Sequence, residues 1–481
     1  MTSGRTVTKS RARRLGIAGM TAMVAIAGAS SLAPAAWGQD APSGSSANHT
    51  GSVQGLDAAL TTQGANTDPA FFTPDEGTDL GAKKPGDVLK TREIKLHIAS
   101  LPTPVDVTQI LYRTTDTQGR PAHNVTSVVH PTAPSNGNVI SYQSFYDSLN
   151  PEDGPSRGVA GDTSLGLGIA NLESGLILPM LSSGATVVMA DTEGAEANFA
   201  AGPEYGMATL DSLRAAKTVG AGGYRQDSKV AMVGYSGGAI ATNWAAILQN
   251  EYAPELQDSI IGAAQGGVLV NPLNNLTYAM EGPAWSGVVS MAMIGLAKAY
   301  GVDIDSYLSD TGRYYSRTMN DASIIEGFGR TAGISWKDLA LPEYETPLDV
   351  PPIRDIVEKI NMGTAAIPDM PMLLVQGGGG YLEGTPPGGE NTGAGDGIMV
   401  MGDVRALAGR YCEAGNPIVY REYPGLSHVM ASVPYAAEAV GWVGDRFAGK
   451  PAPSNCGTFG PGNDLTKGGK GGAFPIPISQ S

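Results

Sequence analysis

The sequence predicts an α/β fold, in which a mainly parallel sheet is covered by helices on both faces and carries an inserted helical cap. Three observations predict this fold. Short runs rich in β-branched residues recur along the chain, helix-compatible stretches separate several of them, and one long strand-poor segment interrupts the alternation. Strands that alternate with helices favour parallel pairing, because each helix returns the chain to the edge from which the next strand starts.

The predicted sheet begins with an antiparallel pair at residues 107–113 and 124–130, joined by a turn at residues 117–121. Six later runs are predicted strands, at residues 138–142, 186–190, 229–234, 259–263, 372–376 and 418–423. The main helices predicted among them cover residues 206–219, 237–251 and 429–447. We expect the core to consist of two parts, residues 66–270 and 364–456.

Residues 271–363 form the predicted insertion between the two core parts. The segment has few strand-forming runs and contains helix-length stretches at residues 284–300 and 355–362. We expect it to be a helical lid, or cap, over one edge of the sheet. Extra surface helices with no gating role are the alternative.

The N-terminus carries five basic residues and no acidic one, followed by an Ala-rich apolar run at residues 15–33. This pattern predicts a secretory signal peptide at residues 1–38; a transmembrane anchor is disfavoured, because the run is short and broken by glycine. Arg13 and Arg14 also fit twin-arginine export, a weaker pattern. A polar leader at residues 39–65 and a Gly/Pro-rich tail at residues 457–481 are predicted to lack regular structure.

The formal net charge of −15 becomes −20 once the five basic residues of the signal peptide are removed. An acidic protein is a poor partner for nucleic acid, which is itself a polyanion. The rest of the chain contains no second apolar run long enough to span a bilayer, so no transmembrane anchor is expected. We expect a secreted protein.

Cys412 and Cys456 are the two cysteines of the chain. In an oxidising compartment they are expected to pair with each other, the alternative being two separate buried thiols. The sequence has no Cys-x-x-Cys or His-x-x-x-His spacing, so no zinc site is predicted.

The most specific motif is Gly-Tyr-Ser-Gly-Gly at residues 234–238, where a predicted strand runs directly into a predicted helix. A chain with 66 glycines can contain G-x-S-x-G by chance, but the strand-to-helix junction is the context that a nucleophile elbow requires. Glycines two residues before and after the serine avoid a collision across the tight turn. The motif predicts an α/β-hydrolase fold with Ser236 as nucleophile.

A serine nucleophile needs a general base, and in this fold the chain order is serine, acid, histidine. Of the five histidines, His428 alone follows Ser236. It lies between the predicted strand at residues 418–423 and a predicted helix, so its loop can reach the carboxyl edge of the sheet. His428 is therefore the predicted base.

The acid is expected on the loop after the strand at residues 372–376. The candidates there are Glu383, Glu390, Asp396 and Asp403. We prefer Asp396, because small residues flank it and an apolar run after it can anchor the loop. Asp403 is better explained as a helix N-cap.

An oxyanion hole needs the N–H group of Gly237, which follows the nucleophile, and a second N–H group near an earlier strand. The loop at residues 143–148 follows such a strand, but its residue pattern does not identify the donor.

The chain resembles the secretory lipase family of actinomycetes and fungi. The resemblance rests on ordered motifs at residues 71–74, 84–89, 109–114, 146–148, 191–194, 234–238 and 421–428. It implies a triad of Ser236, Asp396 and His428, with Asp147 and Gly237 at the oxyanion hole. It also supports a disulfide between Cys412 and Cys456. The chain departs from the family in a Gly/Pro-rich insertion before Asp396 and in lacking a cysteine near residues 150–156.

We expect a secreted serine hydrolase that cleaves carboxylic esters, most simply a triacylglycerol lipase, without a metal or organic cofactor. The expected partner is an acylglycerol or another ester, presented at a lipid–water interface if residues 288–294 supply an apolar inner face of the cap. The alternatives are a short-chain carboxylesterase or an acyltransferase acting on cell-envelope esters. A further alternative is an inert binding protein on a hydrolase scaffold.

Overall fold

The structure is a computed structural model that describes residues 68–280, 282–389 and 392–466. The predicted signal peptide at residues 1–38, the predicted leader at residues 39–65, most of the predicted tail and Glu390 lie outside the described residues.

A nine-stranded sheet is formed by the described part of the chain. Its strands are β1 (Val88–Ile98), β2 (Leu101–Thr115), β3 (Pro121–Val129), β4 (Val139–Gln143), β5 (Thr186–Ala190), β6 (Val230–Tyr235), β7 (Ile260–Gly266), β8 (Met372–Gly377) and β9 (Ile418–Tyr423). Their spatial order is β1-β2-β3-β5-β4-β6-β7-β8-β9. Strands β4 to β9 run parallel, whereas β1, β2 and β3 pair antiparallel with their neighbours. The prediction of a mainly parallel sheet is therefore confirmed.

The helices of the core begin after the fourth strand. They are α1 (Pro155–Ala160), α2 (Gly168–Leu176), α3 (Leu178–Ser182), α4 (Gly202–Val219), α5 (Gly237–Tyr252), α12 (Met401–Glu413) and α13 (His428–Phe447). Helices α6 to α11 belong to the cap and are described below. None of the helices within the described ranges is long and apolar enough to cross a membrane.

Both faces of the sheet are buried, because successive side chains of a strand point to opposite faces. In β6, Val230 and Met232 pack in a core that contains residues of α4, α5 and α12. Ala231 and Val233 pack in a second core with residues of α1 and α13. Strand β6 is therefore buried on both faces along its length, which is why the sequence shows it as a short continuous apolar run.

Strand β1 was not predicted from the sequence. It is an edge strand and is only partly buried, with Lys, Arg and Glu side chains alternating with apolar ones. Charged side chains are common on edge strands, since they discourage pairing with other chains, but they also hide the strand from a search for apolar runs.

The segment between β7 and β8 is helical. It contains α6 (Pro272–Ala279), α7 (Ser286–Tyr300), α8 (Asp310–Thr318), α9 (Ile324–Gly327), α10 (Trp336–Leu339) and α11 (Pro351–Lys359). Its apolar side chains, among them Trp285, Met291 and Trp336, form one buried cluster with residues of the core, such as Phe199 and Met399. The cap is thus packed onto the core, and its role as a gate stays a prediction.

Cys412 and Cys456 form a disulfide across 44 residues of sequence. Cys412 lies near the end of α12, close to the start of β9, and the carbonyl of β9 residue Ile418 accepts a hydrogen bond from Asn455, next to Cys456. The disulfide therefore links the C-terminal segment to the end of α12, next to the start of the edge strand β9.

Replacing both cysteines with serine should lower the free energy of unfolding by about 2–4 kcal/mol, because the unfolded chain regains the freedom of a long loop. Thermal unfolding of the oxidised parent and the double variant measures the loss. Equal unfolding temperatures for the two proteins would contradict the stabilising role.

Candidate active site

Ser236 stands alone between the end of β6 and the start of α5, with φ 54° and ψ −121°. A positive φ is strained for a residue with a side chain, and it holds Ser236 at a sharp turn above the sheet. The glycines two residues before and after Ser236 are needed because no side chain fits at either position. A Cβ on Gly234 would lie 2.2 Å from the carbonyl oxygen of Gly238, and one on Gly238 would lie 2.1 Å from that of Gln143. The elbow predicted from the motif is therefore present.

His428 is the first residue of α13 and lies within hydrogen-bond reach of the serine. Its Nε2 is 2.7 Å from Ser236 Oγ. The backbone of His428 is held from two sides, because its N–H donates to the carbonyl of Asp396 at 2.7 Å and its own carbonyl accepts from the Tyr235 hydroxyl at 2.5 Å. The imidazole thus has a fixed position beside Oγ.

Asp396 lies on the other side of the imidazole, with Oδ2 at 2.8 Å from Nδ1 of His428. The carboxylate is fully buried and accepts hydrogen bonds from the Gln376 amide at 2.7 Å and from the N–H of Met399 at 2.8 Å. Burial, the largest single effect, disfavours the charged imidazolium of His428, but the charge and hydrogen bond of Asp396 and the other carboxylates nearby together outweigh it, and the pKa of His428 is raised. The three side chains form a continuous Ser-His-Asp chain of hydrogen bonds.

The other candidate acids occupy different positions. Glu383 accepts from the N–H of Val429 and from the indole of Trp285. The expectation that Asp403 is an N-cap is wrong: α12 begins two residues earlier, at Met401, and the buried Asp403 carboxylate accepts instead from Asn274 and Asn463. The two amides satisfy the Asp403 carboxylate, which lies in the first turn of α12, where the positive end of the helix dipole favours a negative charge.

Asp147 and Gly237 lie against each other at the elbow. Asp147 has φ 41°, and a Cβ on Gly237 would lie 1.8 Å from its Oδ1. The first hydrogen bonds of α5 run from Ala239 and Ile240 to the carbonyl of Ser236, so the N–H of Gly237 precedes the helical ladder and is free of it. Burial raises the pKa of Asp147 to about 7, an effect that His428 opposes.

Two buried glutamates that sequence reasoning missed support the loop of Asp147. Glu193 accepts from the N–H of Ser148 at 3.1 Å, and Glu173 accepts from the N–H of Phe145 at 3.2 Å. Glu193 belongs to one of the motifs that carried the family resemblance, which was its only signal. Glu173 is on α2 and has no local pattern that distinguishes it from a surface acid.

An apolar cleft opens beside Ser236. Asp147, Ser236 and Gly237 line its core side. Its other walls come mainly from the cap, namely Val288, Val289, Ala292 and Leu296 of α7 and Ile353, Ile356 and Val357 of α11. The cleft can hold an extended apolar chain whose one end lies beside Ser236 Oγ. Within the described ranges, no group of three or more His, Cys, Asp or Glu side chains could hold a metal ion.

Comparison with known proteins gives matches along both core parts. The sequence profile of the secretory lipase family matches residues 166–455. Lipase 6 of Candida albicans is 33% identical over 396 residues, which cover 78% of this chain and 80% of that relative. A Mycobacterium tuberculosis protein named a probable inactive lipase is 29% identical over 392 residues, covering 80% of this chain and 83% of its own length.

The solved structure of Candida antarctica lipase A in its closed state is also similar. It superimposes with a TM-score of 0.69 at 27% identity and covers 84% of this chain and 91% of its own. This likeness confirms the predicted fold.

Several carboxyl groups are buried, and burial raises their pKa above the value of about 4 that they have in an unfolded chain. The pKa reaches about 7 for Asp147, Glu173 and Glu204 and about 6 for Asp191, Asp211 and Asp403. Between about pH 4 and pH 7 the folded protein therefore binds more protons than the unfolded chain, so its stability falls as the pH rises.

Denaturant unfolding should give a larger free energy of unfolding at pH 5 than at pH 8, because the buried carboxyl groups lose their protons between these pH values. A larger free energy of unfolding at pH 8 would contradict this expectation.

Proposed function

The chain belongs to the secretory lipase family, and from that membership we propose that it is a secreted lipase that hydrolyses the ester bonds of acylglycerols. In this proposal Ser236 is the nucleophile, His428 the general base and Asp396 the acid that orients it. The observation that carries the proposal is the 2.7 Å approach of His428 Nε2 to Ser236 Oγ on the wall of an apolar cleft. Secretion is supported by the family and by the signal peptide predicted from the sequence.

The proposed reaction proceeds in two halves through an acyl-enzyme. His428 takes the proton of Ser236 as Oγ attacks the ester carbonyl, and Asp396 stabilises the imidazolium that results. The N–H groups of Asp147 and Gly237 donate to the oxyanion. His428 then gives its proton to the departing alcohol, and water attacks the acyl-enzyme by the reverse route. This sequence of steps uses neither a metal ion nor an organic cofactor.

The side chain of Asp147 fits this mechanism in its neutral form. An ionised carboxylate beside the elbow would repel the developing oxyanion, whereas a neutral carboxyl group would not. Because burial raises the pKa of Asp147 to about 7, its neutral form dominates in mildly acidic solution.

The cleft supports a long acyl chain over a short one. Its walls are aliphatic side chains of α7 and α11, and each methylene that leaves water for such a surface is stabilised by about 0.8 kcal/mol. A short-chain esterase or an acyltransferase on cell-envelope esters is the alternative within enzymes. An inert binding protein is the alternative of another class, and the close Ser236–His428 contact argues against it.

Asp396→Asn should lower kcat by about 10³–10⁴-fold, because an amide cannot hold the required tautomer of His428 or stabilise its positive charge. Asp403→Asn and Glu390→Gln are matched controls that also replace a carboxylate with an amide, and each should keep kcat within about threefold. Steady-state hydrolysis of one soluble ester measures all three variants. A control that loses as much activity as Asp396→Asn would identify a different acid.

Ala292→Trp should shift chain-length preference, because the indole would fill the cleft beside α7. Measured on p-nitrophenyl esters from butyrate to palmitate, kcat/KM should fall more than about tenfold for palmitate and little for butyrate. Ala292→Ser, which keeps the volume nearly constant, is the control, and Ser236→Ala gives the background rate. An equal loss at all lengths would contradict binding of the acyl chain in this cleft, and hydrolysis by Ser236→Ala at the parent rate would overturn the proposed nucleophile.

A further inference from the structure

A Gly/Pro-rich segment lies between the end of β8 and Asp396. It is anchored at its base, where the N–H of Gly379 donates to the carbonyl of Leu426 at 2.8 Å and that of Gly380 donates to the carbonyl of Gly395 at 2.9 Å. A short 3-10 turn, Gly380–Glu383, follows, in which Tyr381 and Leu382 are exposed. The backbone of the turn is thus fixed beside the loop that leads to His428.

Glu383, at the end of this turn, uses its two carboxylate oxygens for two separate parts of the protein. Oε1 accepts from the N–H of Val429, the second residue of α13, at 3.0 Å. Oε2 accepts from the indole Nε1 of Trp285 at 2.7 Å. Trp285 immediately precedes α7 of the cap, so a single carboxylate joins the cap to the helix that carries His428.

Trp285 is the cap residue that packs against the imidazole. Its ring centroid lies 5.1 Å from that of His428 in an edge-to-face arrangement and 4.9 Å from that of Phe328. Trp285 is 2% exposed and also lines the apolar cleft. Its orientation therefore sets both one side of the imidazole and part of the surface that an acyl chain would contact.

We propose that Glu383 is a positioning residue that holds Trp285 of the cap against His428 and adds a second negative charge beside the imidazole. This inference rests on the proposed function. The charge is close enough to act, since the fields of Asp396 and Glu383 favour the protonated imidazole, as does that of Asp147 in its ionised form. Tyr278 and Tyr235 also lie close enough to Glu383 to be influenced by its charge, and the hydroxyl of Ser427 hydrogen-bonds to it.

The sign of the electrostatic effect follows from these neighbours. The pKa of Glu383 is raised by burial and by the charge of Asp396, although His428 and the hydrogen bonds from Ser427 and Val429 oppose this effect. An ionised Glu383 stabilises the imidazolium, so its removal lowers the pKa of His428. His428 would then remain neutral, and so able to act as a base, at lower pH than in the parent protein. The acidic limb of the kcat/KM profile would therefore move to lower pH.

Glu383→Gln tests the proposal, because a glutamine has one acceptor oxygen for two donors and carries no charge. Its acidic limb should move to lower pH, and its kcat/KM for a long-chain ester should fall about tenfold, since one donor loses its charged partner. Glu383→Asp, which keeps the charge and shortens the reach, should restore the acidic limb. Glu343→Gln, at an exposed site of the cap, is the control for charge alone and should leave both quantities unchanged.

Trp285→Phe separates positioning from charge, because it removes the indole donor and leaves Glu383 ionised. It should raise KM for the long-chain ester without moving the acidic limb, and its effect on KM should be less than additive with that of Glu383→Gln. An active Glu383→Gln protein with the parent's KM and pH profile would overturn the inference. A parent protein inactive on every ester would instead overturn the proposed function.

Discussion

The close approach of backbone segments around Ser236 is the constraint on which the rest of the site depends. The residue is held at φ 54° only because two glycines let β6, the first turn of α5 and the carbonyl of Gln143 meet without side chains between them. The same approach brings the loop of Asp147 against Gly237. A side chain at either glycine would move the serine away from His428 and separate the two N–H groups proposed to stabilise the oxyanion.

The fold brings the three proposed catalytic residues together because they follow strands of one parallel sheet. Ser236 follows β6, Asp396 follows β8 and His428 follows β9, so all three lie at the carboxyl edge. Backbone contacts then set the distances, above all the hydrogen bond from the N–H of His428 to the carbonyl of Asp396.

Much of this arrangement could be predicted from the sequence, because parallel strands, the elbow and the order of the triad residues have local signals. His428 was identified by position alone, since the other histidines precede Ser236. Strand β1 was missed because its charged side chains conceal its alternation. The contacts of Glu173, Glu193 and Glu383 could not be predicted, because each side chain meets partners distant in sequence that only the folded sheet and cap bring close.

Covalent labelling with a fluorophosphonate, located by peptide mass spectrometry, tests whether Ser236 is a nucleophile activated by His428. We expect a single adduct on Ser236, and labelling slower by about 10²-fold in His428→Ala, since the base that activates the hydroxyl is then absent. An adduct on another serine with Ser236 unmodified, or equal labelling rates with and without His428, would contradict it.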